Sequence, residues 1–409
     1  MDFKGESVLI TGVSGFVGPY LAEYILDQGG DVYGLMRKRA DGKDPKNLEE
    51  LNLKDRINTV YGDLTDISSL ANAIDLSEPD HIFHLAAQSF VPYSFTNPLE
   101  TSNVNTMGVV NLLEAVRSSG YDPSFVFAGS SEEYGLVIAS EEQYEDVLEN
   151  RGHIFPEPRR IPELPIKETN PLRPMSPYGV TKVFGDHMTR NYFDSYGLDT
   201  KVSRAFNHEG ARRGEDFVTS VVTRQVMKLK YGEKNKIDIG NVNAFRDWSH
   251  VKDIVKGYCL ISKKGRKGDV YNQGSNRITS VLSYILLSLE KIGYNIEKIE
   301  TNKNNKEIEN PTKFNKDTTY GSKFKKTKVD NLLLKNKLRF KLEDQGIKVK
   351  TDTDNIEINF KKDRFRPAEV PILLSDTTKI EKIGFKSEYE VKDIIKDQLN
   401  YYLDQNRRK

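Results

Sequence analysis

Two groups of polar residues, far apart in the sequence, have the types and spacing needed for acid–base chemistry. Tyr178 and Lys182 are one helical turn apart, so on a helix they lie on the same face. A lysine ammonium beside a phenol favours the phenolate, and we expect Lys182 to lower the pKa of Tyr178 toward that of a general base. In the second group, Ser130 and Glu132, the carboxyl group can remove a proton next to a ketone and then protonate a departing hydroxyl group. These four residues are the candidate catalytic residues.

A glycine-rich loop follows the first apolar, strand-like run and opens a helical pattern. Its glycines, Gly12, Gly15 and Gly18, have the spacing G-x-x-G-x-x-G. Gly12 permits a tight turn, Gly15 allows the backbone to approach a pyrophosphate, and Gly18 lets the helix pack closely on the strand. The pyrophosphate then lies at the positive end of the helix, near Phe16 and Val17. This context predicts a dinucleotide-binding site.

The end of the second predicted strand indicates which dinucleotide is bound. An NAD site usually has an acidic residue there, which accepts hydrogen bonds from the ribose hydroxyls. This chain has the basic run Arg37-Lys38-Arg39 instead, which suits a 2′-phosphate and favours NADP over NAD. A solvated basic loop is the alternative. After the third and fourth predicted strands, the residues expected beside the cofactor are Asp63, Leu64, Leu85, Ala86, Ala87 and Gln88.

The composition limits the partners that the chain can have. Its 409 residues include 61 basic and 60 acidic side chains, so no overall field favours nucleic acid or an anionic membrane. No apolar stretch approaches membrane-spanning length and the N-terminus lacks a signal-like segment, so we expect a soluble cytoplasmic protein without a membrane partner. The single cysteine, Cys259, excludes an intramolecular disulfide and a cysteine-rich metal site, and its apolar surroundings predict burial.

Short apolar runs alternate with helical patterns in the first half of the chain, which is typical of a parallel sheet covered by helices. Strands are predicted at 7–10, 31–35, 57–61, 81–85, 124–128 and 201–203. A later pair of alternating runs, 346–350 and 356–360, predicts a hairpin. We therefore expect an α/β protein with a Rossmann-type doubly wound parallel sheet and a smaller mixed C-terminal substrate-binding lobe.

The predicted domains follow from this pattern. Residues 1–205 form the NADP-binding domain, with a charged, proline-rich surface insertion at about 141–165. Residues 206–409 form mainly the substrate-binding lobe, with some segments returning to the first domain. Residues 301–341 are rich in Lys and Asn, which predicts a solvated or partly disordered loop. Nucleic-acid binding by these lysines is not expected, because interleaved aromatic residues and a folded motif are missing.

Several motifs carry a resemblance to a known family. Besides the glycine-rich loop they are His84-Leu85-Ala86-Ala87-Gln88-Ser89, Ser130-Ser131-Glu132-Glu133-Tyr134-Gly135, Ser176-Pro177-Tyr178, Phe206-Asn207-His208-Glu209, and residues 212–219, 245–250 and 365–370. Together they resemble the extended short-chain dehydrogenase/reductase family, and within it the nucleotide-sugar 4,6-dehydratases. The likeness runs from the first strand to near Asn400, and it is broken at 141–165 and in the Lys/Asn-rich segment.

The resemblance implies conversion of GDP-mannose to GDP-4-keto-6-deoxymannose without net redox change. Tyr178 would be the base for oxidation at sugar C4, and Lys182 would tune it and hold the nicotinamide ribose. Ser130, where the family usually has threonine, would hydrogen-bond the C4 oxygen. Glu132 would remove the C5 proton and protonate the C6 hydroxyl as it leaves, after which hydride returns from NADPH to C6.

Further binding residues are implied in the same way. His208 and Arg213 match positions that contact NADP, and guanidinium groups farther along the chain match positions near the nucleotide diphosphate. The expected substrate-binding residues are Ser89, Ser131, Asn207, Arg246, Arg366 and Glu369. Because members of the family associate through the helix that carries the Tyr/Lys pair, a homodimer or homotetramer is expected.

Alternatives to this assignment stay open. Ser220-Val221 stand where the resembling enzymes have Arg-Lys, so another nucleotide or sugar is possible. A nucleotide-sugar 4-epimerase of the same family would use Tyr178 but would not need Glu132, because the C6 hydroxyl stays in place. An inert nucleotide-binding protein would need none of the four candidate catalytic residues.

Overall fold

The central element of the structure is a parallel sheet. The structure is a computed structural model and describes residues 1–38, 40, 43–365 and 370–408. Seven strands pair in parallel, in the spatial order Val270–Gln273, Thr200–Ala205, Ser124–Ser130, His81–His84, Ser7–Thr11, Asp31–Met36 and Asn58–Tyr61. From the strand Ser7–Thr11 the chain builds outward in both directions. The predicted Rossmann-type doubly wound sheet is therefore confirmed.

Helices cover both faces of this sheet, which explains why its central strands are apolar along most of their length. In the first strand, Val8 and Ile10 belong to the cluster on one face and Leu9 to the cluster on the other. The helices on the first face are Val17–Asp27 and Val251–Lys264. Those on the second face are Ile67–Ser77, Gly108–Ser119 and Pro177–Tyr196. Cys259 is buried in the first cluster, as its surroundings predict.

All six predicted strands of the sheet are present, with ends that differ by up to two residues. The seventh, Val270–Gln273, was not predicted and pairs with Thr200–Ala205 at the sheet edge. The proline-rich segment also has structure of its own. It begins with the helix Glu141–Arg151, and its Val147 and Ile154 pack with Leu136 and Ile138 in a small apolar cluster.

A second, mixed sheet lies in the C-terminal part of the chain. Its strands, in spatial order, are Glu307–Glu309, Ile296–Thr301, Ile347–Thr351, Asn355–Phe360 and Lys236–Ile239. The pairing of the third and fourth strands is antiparallel, which confirms the predicted hairpin, whereas the last two pair in parallel. Three long helices pack here: Val218–Lys230, Val281–Lys291 and Val391–Tyr401.

The prediction of a solvated or partly disordered loop at 301–341 is wrong. This segment forms the hairpin Phe314–Thr319 and Ser322–Thr327, followed by the helix Lys328–Leu334. Phe324, Val329 and Leu333 are buried and anchor the segment in the apolar core of the lobe. The high lysine content is compatible with this because the lysines Lys316, Lys323 and Lys325 lie on the exposed face of the hairpin.

Short elements complete the fold. The remaining helices are Lys46–Glu50, Val91–Thr96, Pro98–Ser102, Thr378–Glu381 and Gln405–Arg408, with a widened helical turn at Asn103–Met107. The remaining strands are His208–Glu209, Phe245–Arg246, Ser249–His250, Thr279–Ser280 and Ile372–Leu373. Within the described part of the chain, no helix has both the length and the apolar character needed to span a membrane.

Candidate active site

A cleft of about 450 Å³ opens at the carboxyl ends of the central strands. It lies where the strand order reverses, between Ser7–Thr11 and His81–His84, which is where open α/β sheets bind their ligands. All four candidate catalytic residues line it: Ser130, Glu132, Tyr178 and Lys182. The fold thus brings together two groups of side chains that are widely separated in the sequence.

Most of the predicted binding residues also line the cleft. Every predicted cofactor-binding residue lines it: Gly12, Gly15, Phe16, Val17, Gly18, Arg37, Asp63, Leu64, Leu85, Ala86, Ala87, Gln88, Tyr178, Lys182, His208 and Arg213. So do Ser89, Ser131 and Asn207. Arg246 does not line the cleft, because its buried guanidinium donates to the carbonyl oxygens of Phe245 and Val370 at 2.9 and 2.8 Å. Arg366 and Glu369 lie outside the described residues.

The three glycines of the first loop are required for different reasons. A Cβ on Gly18 would lie 2.5 Å from the Gly12 carbonyl oxygen, and one on Gly12 would lie 2.9 Å from the Ala86 backbone. Gly12 also has a positive φ of 73°, which favours glycine. A Cβ on Gly15 would meet only the Gly12 carbonyl oxygen, at 3.2 Å. Packing within the protein therefore explains Gly12 and Gly18, whereas Gly15 leaves room for a ligand.

The helix that follows offers donors to an anion. Among the described residues, no side chain caps the N-terminus of Val17–Asp27, and its first turn has no acidic residue. Its first amide groups can therefore bind a phosphate group, as helix N-termini do in dinucleotide sites. The Asn207 side chain also lines the cleft, and its buried Oδ1 has no hydrogen-bond partner among the described residues. These features fit a nicotinamide dinucleotide.

Ser130 and Glu132 are positioned by a tight turn at the end of the strand Ser124–Ser130. The Glu132 amide donates to Ser130 Oγ at 3.2 Å, and the Ser130 amide donates to the carboxylate of Glu133 at 2.7 Å. Helix Pro177–Tyr196 packs closely against this turn, since a Cβ on Gly179 would lie 2.8 Å from the Glu132 carbonyl oxygen. Gly179 therefore allows Tyr178 to approach Glu132.

The Tyr178 helix begins with strong start signals. Ser176 caps it by accepting the Gly179 amide at 3.0 Å, and Pro177 occupies the first helical position. Tyr178 and Lys182 lie on its buried face, as the sequence predicts. The Lys182 ammonium donates to the Ala128 carbonyl oxygen at 2.6 Å and lies 5.8 Å from the centre of the Tyr178 ring.

The electrostatics of this pair differ from the prediction. Burial raises the pKa of Tyr178 above its usual range, while a hydrogen bond with the Ser130 side chain and the charge of Arg213 lower it. The charge of Glu132 raises it further. Burial also lowers the pKa of Lys182 to about 8. The expected lowering of the Tyr178 pKa by Lys182 is therefore not the dominant effect, because desolvation of the phenol is larger.

Two positioning features were not predicted from the sequence. Asn105 accepts the Gln88 amide at 2.8 Å, and its Nδ2 donates to the Gln88 carbonyl oxygen and to Thr181 Oγ1, both at 3.0 Å. It thereby ties a cofactor-lining loop to the Tyr178 helix. Asn105 lies in the widened helical turn Asn103–Met107, a feature that the sequence does not show.

The second feature is the position of Arg213. Its guanidinium lies 4.9 and 3.5 Å from the ring centres of Phe16 and Phe217.

Fold and site together define an extended short-chain dehydrogenase/reductase. The chain belongs to the NAD dependent epimerase/dehydratase family, whose model matches residues 8–274. It is similar to GDP-mannose 4,6-dehydratase of Yersinia enterocolitica, with 31% identity over 98% of this chain and 94% of the relative.

Two solved structures share the fold. RMD from Pseudomonas aeruginosa, complexed with NADPH, has a TM-score of 0.65 at 21% identity and covers 97% of this chain and 98% of its own. The dTDP-glucose 4,6-dehydratase of Bacillus anthracis, in complex with NAD, has a TM-score of 0.65 at 18% identity. The match covers 98% of this chain and 97% of that structure's chain.

Proposed function

We propose that the protein is a nucleotide-sugar 4,6-dehydratase that converts GDP-mannose to GDP-4-keto-6-deoxymannose. The observation that carries this proposal is the position of Glu132, which lines the same cleft as Tyr178 and whose charge acts on the Tyr178 phenol. A 4-epimerase needs the phenol and the cofactor but no second acid–base group. The near full-length similarity to GDP-mannose 4,6-dehydratases supports the same substrate.

The side chains have distinct tasks in this reaction. Ser130 holds the C4 oxygen of the sugar, and Tyr178 accepts the C4 hydroxyl proton. A nicotinamide dinucleotide held by the glycine loop, Lys182 and Arg213 would supply the reversible hydride transfer that this reaction needs. Glu132 removes the C5 proton, which the C4 ketone acidifies, and delivers a proton to the C6 hydroxyl, which leaves as water. C5 then takes up a proton in place of the one that Tyr178 accepted from the C4 hydroxyl group, so the net change is the loss of one water.

The cofactor of this reaction is NADP in our proposal. Arg37 follows the strand Asp31–Met36 and lines the cleft, so its guanidinium can pair with a 2′-phosphate. At the same end of the cleft, hydrogen bonds from Thr65 lower the pKa of Asp63, and the charge of Arg37 adds a smaller effect in the same direction. Arg39 lies outside the described residues. His208 and Arg213 complete the contacts proposed for the cofactor.

An exposed apolar surface supports the expected oligomer. Leu99 is 86% exposed and Val180 is 54% exposed, and Met107 and Phe184 are exposed beside them on packed elements. Burial of this face against a second copy would form a homodimer, and two such dimers a homotetramer. In this proposal residues 206–409 form mainly the lobe that binds the nucleotide sugar, and the protein acts in the cytoplasm.

Product analysis tests the function. The enzyme is incubated with NADP and GDP-mannose in D₂O, with UDP-, CDP- and dTDP-hexoses in parallel, and the products are examined by mass spectrometry and NMR. We expect GDP-mannose to lose one water and to gain solvent deuterium at C5. A C4-inverted sugar that keeps its C6 hydroxyl would instead identify an epimerase and refute the proposal.

A further inference from the structure

A row of four side chains, which we call the strap, runs from one edge of the cleft to the other. Its members, in spatial order, are Phe16, Arg213, Phe217 and Phe90. The Arg213 guanidinium lies 4.9 Å from the centre of the Phe16 ring and 3.5 Å from that of Phe217. The Phe217 and Phe90 rings pack edge to face, with 5.7 Å between their centres. The strap is therefore a continuous set of contacts.

The two ends of the strap stand on opposite sides of the crevice at the switch point. Phe16 belongs to the glycine loop, which follows the strand Ser7–Thr11, and Phe90 follows the strand His81–His84. The strand order reverses between these two strands. Since a dinucleotide binds in the crevice at such a point, the strap spans the place where the cofactor is expected.

The middle of the strap comes from the C-terminal part of the chain. Phe217 directly precedes the helix Val218–Lys230, which packs in the core of the lobe. Ser220 on this helix donates to the Arg213 carbonyl oxygen at 3.1 Å. The backbone at Gly214 also packs on the Phe217 ring, because a Cβ there would lie 3.1 Å from it. Arg213 and Phe217 are thus fixed to each other and to the lobe.

The preceding residue, Arg212, joins the same segment to the nucleotide-binding part outside the cleft. It has a φ of 66°, a conformation in which a non-glycine residue is held by its surroundings. Its Nη1 donates to the Tyr20 hydroxyl group at 2.9 Å, and its Nε lies 3.2 Å from Glu50 Oε2. Arg212 does not line the cleft, whereas Arg213 does. The left-handed turn therefore separates an anchoring arginine from one that faces the ligand site.

Arg213 keeps a donor that no described residue uses. Its side chain is 14% exposed, and its Nε lies 3.4 Å from Glu209 Oε2. The buried Nε has no hydrogen-bond partner among the described residues. An arginine is always charged, and a guanidinium binds phosphate oxygens well. The middle of the strap therefore suits the anionic diphosphate of a dinucleotide.

We propose that the strap controls exchange of the dinucleotide, because it must open each time the cofactor enters or leaves the cleft, and that Phe217 is the positioning residue that holds Arg213 across the crevice. The proposed function gives a reason for such a device. The hydride taken from C4 returns to C6, so the cofactor need not leave between turnovers and slow exchange does not limit dehydration. Exchange itself involves no sugar, so the strap can be tested apart from the proposed reaction.

The experiment measures dinucleotide exchange by the full-length protein without a sugar. Binding and release of NADPH, and of NADH in parallel, are followed by stopped-flow fluorescence. In Phe217→Leu the dissociation rate constant should rise about tenfold, because a largely desolvated contact between a ring and a guanidinium is worth about this much. The association rate constant should rise as well, and Kd should stay within about threefold of the wild type, since a closed strap slows entry and release alike.

Tyr231→Leu is the matched control. Tyr231 lies at the other end of the same helix, where the Arg408 guanidinium is 4.1 Å from the centre of its ring. This contact is outside the cleft, so both rate constants should equal those of the wild type. If Phe217→Leu does not fold, Phe90→Leu removes the ring at the far end of the strap and should also raise both rate constants.

The two rate constants distinguish control of exchange from simple binding. Faster dissociation with an unchanged association rate and a proportionally higher Kd would show that Phe217 contributes binding energy alone, and would overturn the proposal. Unchanged rates in the variant that folds, or a wild type that binds neither dinucleotide, would overturn it too. Absence of dehydration of GDP-mannose would refute the proposed function but would leave the exchange result decisive for the strap.

Discussion

The ammonium group of Lys182 donates a 2.6 Å hydrogen bond to the carbonyl oxygen of Ala128, on the strand that ends at Ser130. Burial lowers the pKa of this lysine to about 8, so it titrates close to neutral pH. The charge of Lys182 is present below this pKa and is lost as the pH rises through it. Since the ammonium helps to hold the cofactor ribose in our proposal, activity should follow the same titration.

We therefore expect kcat/KM of the wild type to decline as the pH rises through about 8. Lys182→Arg should be less active, because a guanidinium does not fit the ammonium site, but its profile should lack this decline. Steady-state rates from pH 6 to 10 measure the effect. A decline of equal midpoint in both enzymes would assign it to another group.

Variants of Glu132 and Tyr178 should stop the reaction at different stages. In Glu132→Gln the C4 oxidation remains possible but the C5 proton has no base, so cofactor reduction without water loss is expected in a single turnover. Tyr178→Phe should abolish both cofactor reduction and water loss. It should keep cofactor affinity within about threefold of the wild type, since only one hydroxyl group is removed. Absorbance of the reduced nicotinamide and mass spectrometry of the sugar distinguish the two. Full dehydration by Glu132→Gln would contradict the assigned role.

The glycines of the first loop allow a matched comparison. Gly15→Ala meets only one protein atom at 3.2 Å, whereas Gly18→Ala places a Cβ 2.5 Å from the Gly12 carbonyl oxygen. We expect Gly15→Ala to lower cofactor affinity at least tenfold with a Tm close to that of the wild type. Gly18→Ala should lower the free energy of unfolding by about 1–3 kcal/mol, as overpacking does. Calorimetric titration measures the cofactor affinity and thermal unfolding measures the stability. If both variants lowered Tm equally, the conclusion that Gly15 leaves room for a ligand would be contradicted.

The sequence predicted the features that depend on local pattern. The strands of the sheet, the glycine loop and the shared face of Tyr178 and Lys182 follow from periodicity and spacing. The pKa of Tyr178 could not be obtained in this way, because spacing shows a neighbouring lysine but not the depth of burial. Asn105 was missed for a related reason, since its partners Gln88 and Thr181 are brought to it only by the fold.

In the Lys/Asn-rich segment, composition predicted a solvated loop where the structure has regular elements. Phe314 and Phe324 on the hairpin and Val329 on the following helix face the apolar core of the lobe. In the strand Ser322–Thr327, buried and exposed residues alternate up to Lys326, which is buried like Thr327 after it. A few apolar anchors are enough to order a short hairpin against an existing core, although they hardly change the average composition.

Arg37 should determine the choice between NADP and NAD. Its guanidinium lies at the cleft end of the strand Asp31–Met36, where the 2′-phosphate is proposed to bind. A charge-assisted hydrogen bond contributes about 1.5–3 kcal/mol, so Arg37→Met should weaken NADP binding about 10- to 100-fold and leave NAD nearly unchanged. Lys38→Met is the control, because Lys38 lies over the Tyr61 ring at 5.6 Å and does not line the cleft. Equal losses for both cofactors in Arg37→Met would contradict this role.

His84 should make the fold sensitive to acid. It is buried on the strand beside Ser7–Thr11, where its Nδ1 lies 2.8 Å from Thr11 Oγ1, and burial lowers its pKa to about 3. The Ala86 amide donates to Thr11 Oγ1, so the threonine hydroxyl is left to donate to a neutral imidazole. In the unfolded chain the imidazole has a pKa near 6.5. The unfolded state therefore binds one more proton between these two values.

The contribution of His84 to stability is complete above about pH 6.5 and is lost progressively as the pH falls toward about 3, at up to about 1.4 kcal/mol per pH unit. His84→Asn keeps an acceptor for Thr11 but does not titrate. Although this variant should be less stable at pH 7.5, because it leaves a cavity, its loss of unfolding free energy between pH 7 and 5.5 should be about 1 kcal/mol smaller than that of the wild type. Urea unfolding at several pH values measures the difference. Parallel curves for the two proteins would show that another group, such as His208, is responsible for the acid sensitivity.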